Sequence, residues 1–216
     1  MNYELKKIFY TPPKILQRIF NNFVWESKVD KILLTFDDGP NPGSTKIILD
    51  RLNRHNIKAL FFCVGENVNK YPNLVKQIIA EGHTIGNHSY SHKNITFTSK
   101  VKIDEQIKLC SDIIREEIEA APQFFRPPHG RFDFRTNRIV LKHQLKNIMW
   151  SLLTYDYKND LNIVKFAIQN YITKSSIIVL HDSEKSKDII GASIDFIVEA
   201  ADKRGFEFGE ISECLK

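Results

Sequence analysis

The 216-residue chain is poor in cysteine: Cys63, Cys110 and Cys214 form an odd, widely spaced set that matches no zinc-ligand pattern. Cys63 falls in an apolar run and Cys110 on an apolar helical stripe. All three are expected reduced and mostly buried, so nothing requires an oxidising compartment. A dominant charge is missing too. Lys and Arg number 31 against 26 Asp and Glu, and the resulting +5 is spread without a basic block or an aromatic-basic repeat. That excludes the usual footprint of nucleic-acid binding. No apolar run could span a bilayer, and Glu4, Lys6, Lys7, Lys14 and Arg18 interrupt the N-terminus where the apolar core of a signal peptide would lie. Read as it stands, the chain is expected to be cytoplasmic; removal of a leader ahead of it would make it extracytoplasmic. Repeats, low-complexity tracts and linkers are also lacking. The apolar share of 42% suits a globular domain with a sizeable core.

Present instead is an alternation of β-rich and helical stretches. Short β-rich runs stand at 31–36, 58–64, 84–86, 123–126, 147–152 and 176–180, with a weaker one at 206–208. Between them lie one-sided apolar stripes: Leu74, Val75, Ile78 and Ile79, ended by Gly82; Ile103, Ile107, Cys110, Ile114 and Ile118; Val164, Ala167, Ile168, Tyr171 and Ile172; and Ile190, Ile194, Ile197, Val198 and Ala201. About seven β/α repeats predict an α/β fold with a parallel sheet covered by helices. No Gly-rich phosphate loop follows the first strand, which favours a barrel over a nucleotide-binding open sheet. Ahead of the repeats, Ile15, Leu16, Ile19, Phe20, Phe23 and Val24 predict an amphipathic helix with Pro12-Pro13 in its first turn. It is expected to pack on the domain as a lid, a membrane-surface helix being the alternative. The organisation is thus an N-terminal extension over 1–30 and one domain over 31–216.

Several chemistry-bearing residues stand where predicted strands end. Thr35-Phe36-Asp37-Asp38-Gly39-Pro40 puts two adjacent carboxylates at a strand-to-loop mouth. Adjacent strand residues point to opposite sides, so the two acids can have different partners. Alone the run could be an ordinary surface turn. His88 and His92 in His88-Ser89-Tyr90-Ser91-His92 are four apart; if Ser89–His92 is a helical turn, both imidazoles share a face and can grip one metal ion. Two His and one carboxylate with an open position is a catalytic zinc arrangement, and the Asp pair can supply the carboxylate. Arg126-Pro127-Pro128-His129-Gly130 is a stiff loop, with prolines fixing the backbone and Gly130 permitting close approach. Asp156 and the pair His181-Asp182 also follow strands. Such convergence at strand C-termini is where β/α barrels place active sites. His55, His83 and His143 have no partner that the sequence names.

Taken in order, these motifs resemble the polysaccharide deacetylases of the NodB-homology type, a carbohydrate esterase family. The resemblance rests on 35–40, 88–92, 126–130, Trp150 through Tyr157, and Val179-Leu180-His181, and runs from about Lys31 to the C-terminus. It implies a single distorted (β/α)7 barrel and metal-dependent removal of N-acetyl groups from an amino-sugar glycan of N-acetylglucosamine oligomer, chitin or peptidoglycan type. It further implies Asp38, His88 and His92 as metal ligands, Asp37 as general base oriented by Arg126, and His181 as general acid braced by Asp156. The His129 amide would hold the oxyanion, and Pro127, Pro128 and Tyr157 would line the substrate. Zinc is the expected ion, with Co2+, Ni2+ or Fe2+ compatible with the same ligands. No nucleic-acid partner is expected, and the sequence sets no oligomeric state. The chain departs from the family in its fourth motif, Leu153-Thr154-Tyr155-Asp156-Tyr157, which usually begins with Asp and ends with Trp. Val179 replaces the usual Leu and His129 a common Tyr, so the wall against the acetyl group and sugar is expected to differ. Two alternatives remain at this point: a carbohydrate-binding protein without turnover, and an amidohydrolase for a small non-sugar N-acyl amide.

Overall fold

A computed structural model describes residues 10–96 and 98–215. The strands are β1 Lys31–Asp37, β2 Leu60–Cys63, β3 Thr84–Asn87, β4 Phe124–Phe125, β5 Lys146–Asn147, β6 Leu152–Leu153, β7 Ile177–His181 and β8 Glu207–Phe208. The helices are α1 Lys14–Ile19, α2 Thr45–Arg54, α3 Gly65–Lys70, α4 Pro72–Ala80, α5 Lys100–Ile118, α6 Thr136–Lys142, α7 Leu161–Tyr171, α8 Ile190–Asp202 and α9 Ile211–Cys214. Every strand pairing is parallel, and hydrogen-bonded neighbours run β5-β4-β3-β2-β1-β7-β6, with β8 beside Lys31 and Ile32 of β1. This curled sheet is the distorted (β/α)7 barrel that the motif order implies.

β1 shows how sequence becomes layers. Ile32 through Asp37 are all buried, as a strand covered on both faces requires. With a two-residue period, Ile32, Leu34 and Phe36 point outward into a core shared with Ile48, Leu49 and Leu52 of α2 and Ile190 and Ile194 of α8. Leu33, Thr35 and Asp37 point into the barrel. The apolar floor there is Leu33, Leu60, Phe62, Phe124, Ile148 and Ile177, and α9 closes it from below with Ile211 and Cys214. Gly86 faces this interior because a Cβ would lie 2.7 Å from the Phe62 ring. The predicted apolar stripes become buried faces: Ile103, Ile107, Cys110 and Ile114 on α5, and Ile190, Ile194, Ile197, Val198 and Ala201 on α8. Ser99 starts α5 and Asp160 starts α7, each accepting a backbone N–H two or three residues on. Cys63, Cys110 and Cys214 are free and buried, as expected.

Two sequence expectations change. The run at 147–152 is not one strand but two short ones, β5 and β6, at opposite ends of the path. The carbonyls of Ile148 and Met149 accept from the Arg126 guanidinium at 3.0 and 2.7 Å, which takes them out of any ladder. The predicted lid helix is also shorter. α1 stops at Ile19, leaving Ile15 64% and Ile19 55% exposed, while Phe20, Phe23 and Trp25 are buried beyond its end around Met149 and Phe132. The Trp25 indole N–H donates to the Phe20 carbonyl at 3.0 Å, closing the turn. Next, Val24 pairs as a strand residue with Ile148: its N–H donates to the Asn147 carbonyl at 2.9 Å and its carbonyl accepts from Met149 N–H at 2.7 Å. Ser27 N–H then donates to the Ser175 carbonyl, just ahead of β7, at 2.9 Å. Residues 20–27 therefore run through the seam beside β5, and no α1 residue lines the cavity described below. Among the described residues, no helix is long and apolar enough to cross a membrane.

Candidate metal and catalytic site

The C-terminal ends of β1, β3, β4 and β7 meet around a cavity of about 500 Å³. Asp37, Asp38, His88, His92, His129 and His181 all line it. Asp37 is the last residue of β1 and faces inward. Asp38 takes a left-handed φ of 78°, which swings its side chain around the turn toward the histidines. Its Oδ1 lies 3.0 Å from His92 Nε2 and 3.6 Å from His88 Nε2. One ligand atom from each of Asp38, His88 and His92 lies within 4.8 Å of the others, a possible metal site. The histidines do not reach it from a helical turn. The segment is irregular, and Ser89 and His92 each adopt positive φ, 63° and 53°.

The donor set fits a divalent cation. His88 is 1% exposed, and its Nδ1 lies 2.7 Å from the Arg126 carbonyl, which fixes the proton there and leaves Nε2 as an unprotonated donor toward Asp38. Burial, against the charges of Asp37 and Asp38, brings the His88 pKa down to about 4, so the ring is neutral as a ligand must be. Burial works in the opposite sense on Asp38, but the hydrogen bond from His92 and the neighbouring histidines hold its carboxyl well below the usual carboxylate range. The set is two imidazole nitrogens and one carboxylate oxygen.

Beside this cluster Arg126 is fully buried, and its guanidinium makes four hydrogen bonds. Nη1 donates to Asp37 Oδ1 and to Thr35 Oγ1, both at 2.7 Å; Nε and Nη2 hold the Ile148 and Met149 carbonyls. Thr35 passes its own proton to the Ile178 carbonyl at 2.8 Å. The Phe62 ring sits 4.3 Å from the guanidinium carbon, so the cation is packed as well as paired. Asp37 Oδ2 is left facing the cavity, 3.9 Å from His88 Nε2.

On the β7 side His181 Nδ1 lies 2.7 Å from Asp156 Oδ1, and Asp156 Oδ2 accepts the His181 backbone N–H at 2.7 Å. Asp156 is fully buried, and Thr154 Oγ1 stands 3.1 Å from its Oδ1 while donating to the Val179 carbonyl at 2.7 Å. Burial alone would lower the His181 pKa; the Asp156 carboxylate outweighs it and raises it to about 9. The ring is thus a held imidazolium with Nε2 left to donate. Tyr157 lies edge-on to it at 4.8 Å. Next in sequence, Asp182 is also fully buried, and burial pushes its pKa up to about 7 against hydrogen bonds from Ser44 and Thr45.

The remaining wall is apolar: Trp150, Leu153, Tyr157 and Val179. Gly130 is required here, because its φ is +61° and a Cβ would lie 2.1 Å from the Trp150 ring. Pro127 and Pro128, expected along the substrate, are buried and do not line the cavity. They stiffen the loop instead. His129 does line it, its ring edge-on to His92 at 4.4 Å. Sequence reading named Thr35, Thr154 and Asp182 within its motifs but gave them no role in this assembly; the signal available for each was its place within two residues of a named acid or base. His55, His83 and His143 have structural partners in Asp195, the Ala59 N–H and Asp104.

Comparison with known proteins agrees with this architecture. A profile described as polysaccharide deacetylase matches residues 26–148. A peptidoglycan-N-acetylglucosamine deacetylase of Bacillus cereus is 41% identical over 128 residues, covering 59% of this chain and 46% of that protein. Peptidoglycan-N-acetylglucosamine deacetylase PgdA of Listeria monocytogenes is 34% identical over 184 residues, 85% of this chain but 38% of its own length. The chain thus spans less than half of either relative. A further Bacillus cereus protein of the same description is 32% identical over 189 residues, with 86% of this chain and 88% of that protein covered. Among solved structures, a peptidoglycan N-acetylglucosamine deacetylase in complex with 4-naphthalen-1-yl-N-oxidanyl-benzamide superposes with a TM-score of 0.83 at 29% identity, over 92% of this chain and 95% of that one. A CE4 family pseudoenzyme from Bacillus anthracis has a TM-score of 0.79 at 25% identity, over 89% of this chain and 68% of that one. With the profile covering more than half of the sequence and its motifs converging on one cavity, the chain belongs to the polysaccharide deacetylase family.

Proposed function

We propose that this chain is a metal-dependent deacetylase of N-acetylated amino-sugar glycans, with zinc the expected ion at Asp38, His88 and His92. The observation that carries the reading is the flanking of that cluster, within one cavity, by a carboxylate oriented by a buried cation and an imidazole oriented by a buried carboxylate. The relatives described as peptidoglycan deacetylases support the substrate class.

An amide carbonyl is a poor electrophile and hydroxide is scarce at neutral pH. A divalent ion would supply Lewis acidity, lowering the pKa of water to about 7 and polarising the acyl carbonyl. Asp37 is placed to take the proton of the attacking water, since Arg126 occupies Oδ1 and leaves Oδ2 toward the cavity. The His129 backbone N–H is the candidate donor to the developing oxyanion, worth roughly 3 kcal/mol if well placed. His181, held protonated by Asp156, gives its Nε2 proton to the leaving amine, because an amide anion cannot depart. Trp150, Leu153, Tyr157 and Val179 form the apolar wall for the acetyl methyl and sugar face.

The test is acetate release from N-acetylglucosamine oligomers, from peptidoglycan and from small N-acyl amides by metal-loaded protein. Release from the glycans that disappears in Asp37→Asn supports the reading. Release only from small amides would replace it with the amidohydrolase reading, and glycan binding without any release would leave a carbohydrate-binding protein.

A further inference from the structure

Asp182 is the buried acid for which the reaction has no use, and its surroundings point at the metal cluster's own backbone. The carboxylate accepts the Ser44 hydroxyl on Oδ1 and the Thr45 hydroxyl on Oδ2, both at 2.6 Å. Thr45 Oγ1 also accepts the Asn41 N–H at 2.8 Å, so its hydroxyl links that amide to the carboxylate. Asn41, Asp182 and the head of α2 are therefore one relay ending on the carboxylate. From the same residue, the Asp182 N–H donates to the Asp37 carbonyl at 2.7 Å.

Between these anchors runs the turn that carries Asp38. Gly39 lies directly against the carboxylate: a Cβ there would stand 2.2 Å from Asp182 Oδ2 and 2.8 Å from its Cγ. The turn has two further pins, Asn67 Nδ2 on the Asp38 carbonyl at 2.7 Å and Val64 N–H on the Gly39 carbonyl at 2.9 Å. Asp38 needs such holding, since a left-handed φ of 78° is strained for a residue with a side chain. An apolar residue at 182 would spare the cost of a buried carboxyl but would leave the Ser44 and Thr45 hydroxyls without their acceptor.

The geometry points to Asp182 as a positioning residue for Asp38: it fixes the turn from which the carboxylate ligand reaches His88 and His92. This rests on the proposed metal site. It assigns Asp182 no contact with substrate or ion. A residue that orients a ligand from behind typically tunes metal affinity or activity by about 10- to 100-fold.

The experiment is Zn2+ affinity by chelator competition on the full chain, with the visible spectrum of the Co2+ form and far-UV circular dichroism to establish folding. Asp182→Asn removes the charge and one of the two acceptor oxygens that face Ser44 and Thr45. It is expected to weaken Zn2+ binding by about 10- to 100-fold and to alter the Co2+ spectrum while the protein stays folded. Thr45→Val, which removes one donor and keeps the charge, should weaken binding several-fold, and Thr45→Ser should restore it. These two variants decide the matter if Asp182→Asn does not fold. Wild-type affinity and spectrum in folded Asp182→Asn, or in Thr45→Val when the first is unfolded, overturn the proposal alone. A wild-type protein whose metal binding is unaffected by His92→Ala overturns the metal site and this proposal with it.

Discussion

Two buried ion pairs face one another across the cavity, and they are built with opposite signs. On one side the buried member is a cation, Arg126, and the group offered to the cavity is the carboxylate of Asp37. On the other the buried member is a carboxylate, Asp156, and the group offered is the imidazole of His181. Each is steadied by a threonine whose hydroxyl also binds a β7 carbonyl, Thr35 on Ile178 and Thr154 on Val179. The symmetry ends with what the buried charge does. Arg126 spreads four hydrogen bonds over Asp37, Thr35 and two carbonyls, so it organises structure as well as the neighbouring carboxylate. The Asp156 carboxylate bonds Thr154 once and His181 twice, so its work is mainly on one residue.

That difference can be broken experimentally. Arg126→Ala should have the largest effect: it strands Asp37 and two carbonyls in the interior and should cost about 3–5 kcal/mol in urea unfolding, with activity lost. An unchanged midpoint would show that the guanidinium is not structural. Asp37→Asn should keep metal content and fold yet lower kcat by about 100- to 10,000-fold. Loss of the metal instead, with Asp38→Asn retaining it, would reverse the assignment of the two acids.

Asp156→Asn should act both on stability at neutrality and on the pH profile. The His181 pKa of about 9 lies above its unfolded value, so the pair stabilises fully below about pH 6.5, and that contribution fades as pH rises through about 9. Its size is at most about 3 kcal/mol. Under the proposed mechanism the His181 proton needed by the leaving amine is lost in the same window, so kcat should fall on the alkaline side near pH 9 in the wild type. In Asp156→Asn that limb should move toward the ordinary histidine range, and an unmoved limb in the pH–rate profile would remove His181 as the acid. The smallest contrast is between the threonines. Thr35→Val leaves an Arg126 N–H unsatisfied and should cost about 1–3 kcal/mol, whereas Thr154→Val should cost about 1 kcal/mol. Equal losses in thermal unfolding would erase the asymmetry.

Much of this was legible in the chain because strand ends announce themselves. Val179-Leu180 before His181 and Leu33-Leu34 before Asp37 are apolar runs that stop at a polar residue, and strand order brings such stops to one rim. What stayed hidden depends on backbone conformation or on distant partners. His88 and His92 sit at a spacing that suits a helix, yet left-handed residues at 89 and 92 do the gathering. Ile15, Leu16, Ile19, Phe20, Phe23 and Val24 read as one helical stripe because period alone cannot register that Val24 has a strand partner more than a hundred residues away. Likewise, nothing local divides 147–152; the break is set by the carbonyls that Arg126 takes. Asp182 looked like a bystander to His181, and only its contacts with Ser44, Thr45 and Gly39 give it a part.

The seam beside β5 has a practical corollary. Since Val24 supplies a rung to Asn147 and Met149, and Phe23 and Trp25 fill the space beside Met149, a chain cut at Lys31 would expose an unsatisfied sheet edge and a greasy slot next to the very carbonyls that hold Arg126. The smallest piece worth expressing therefore starts before Phe20, and damage at that far end should register as a loosened Arg126–Asp37 pair.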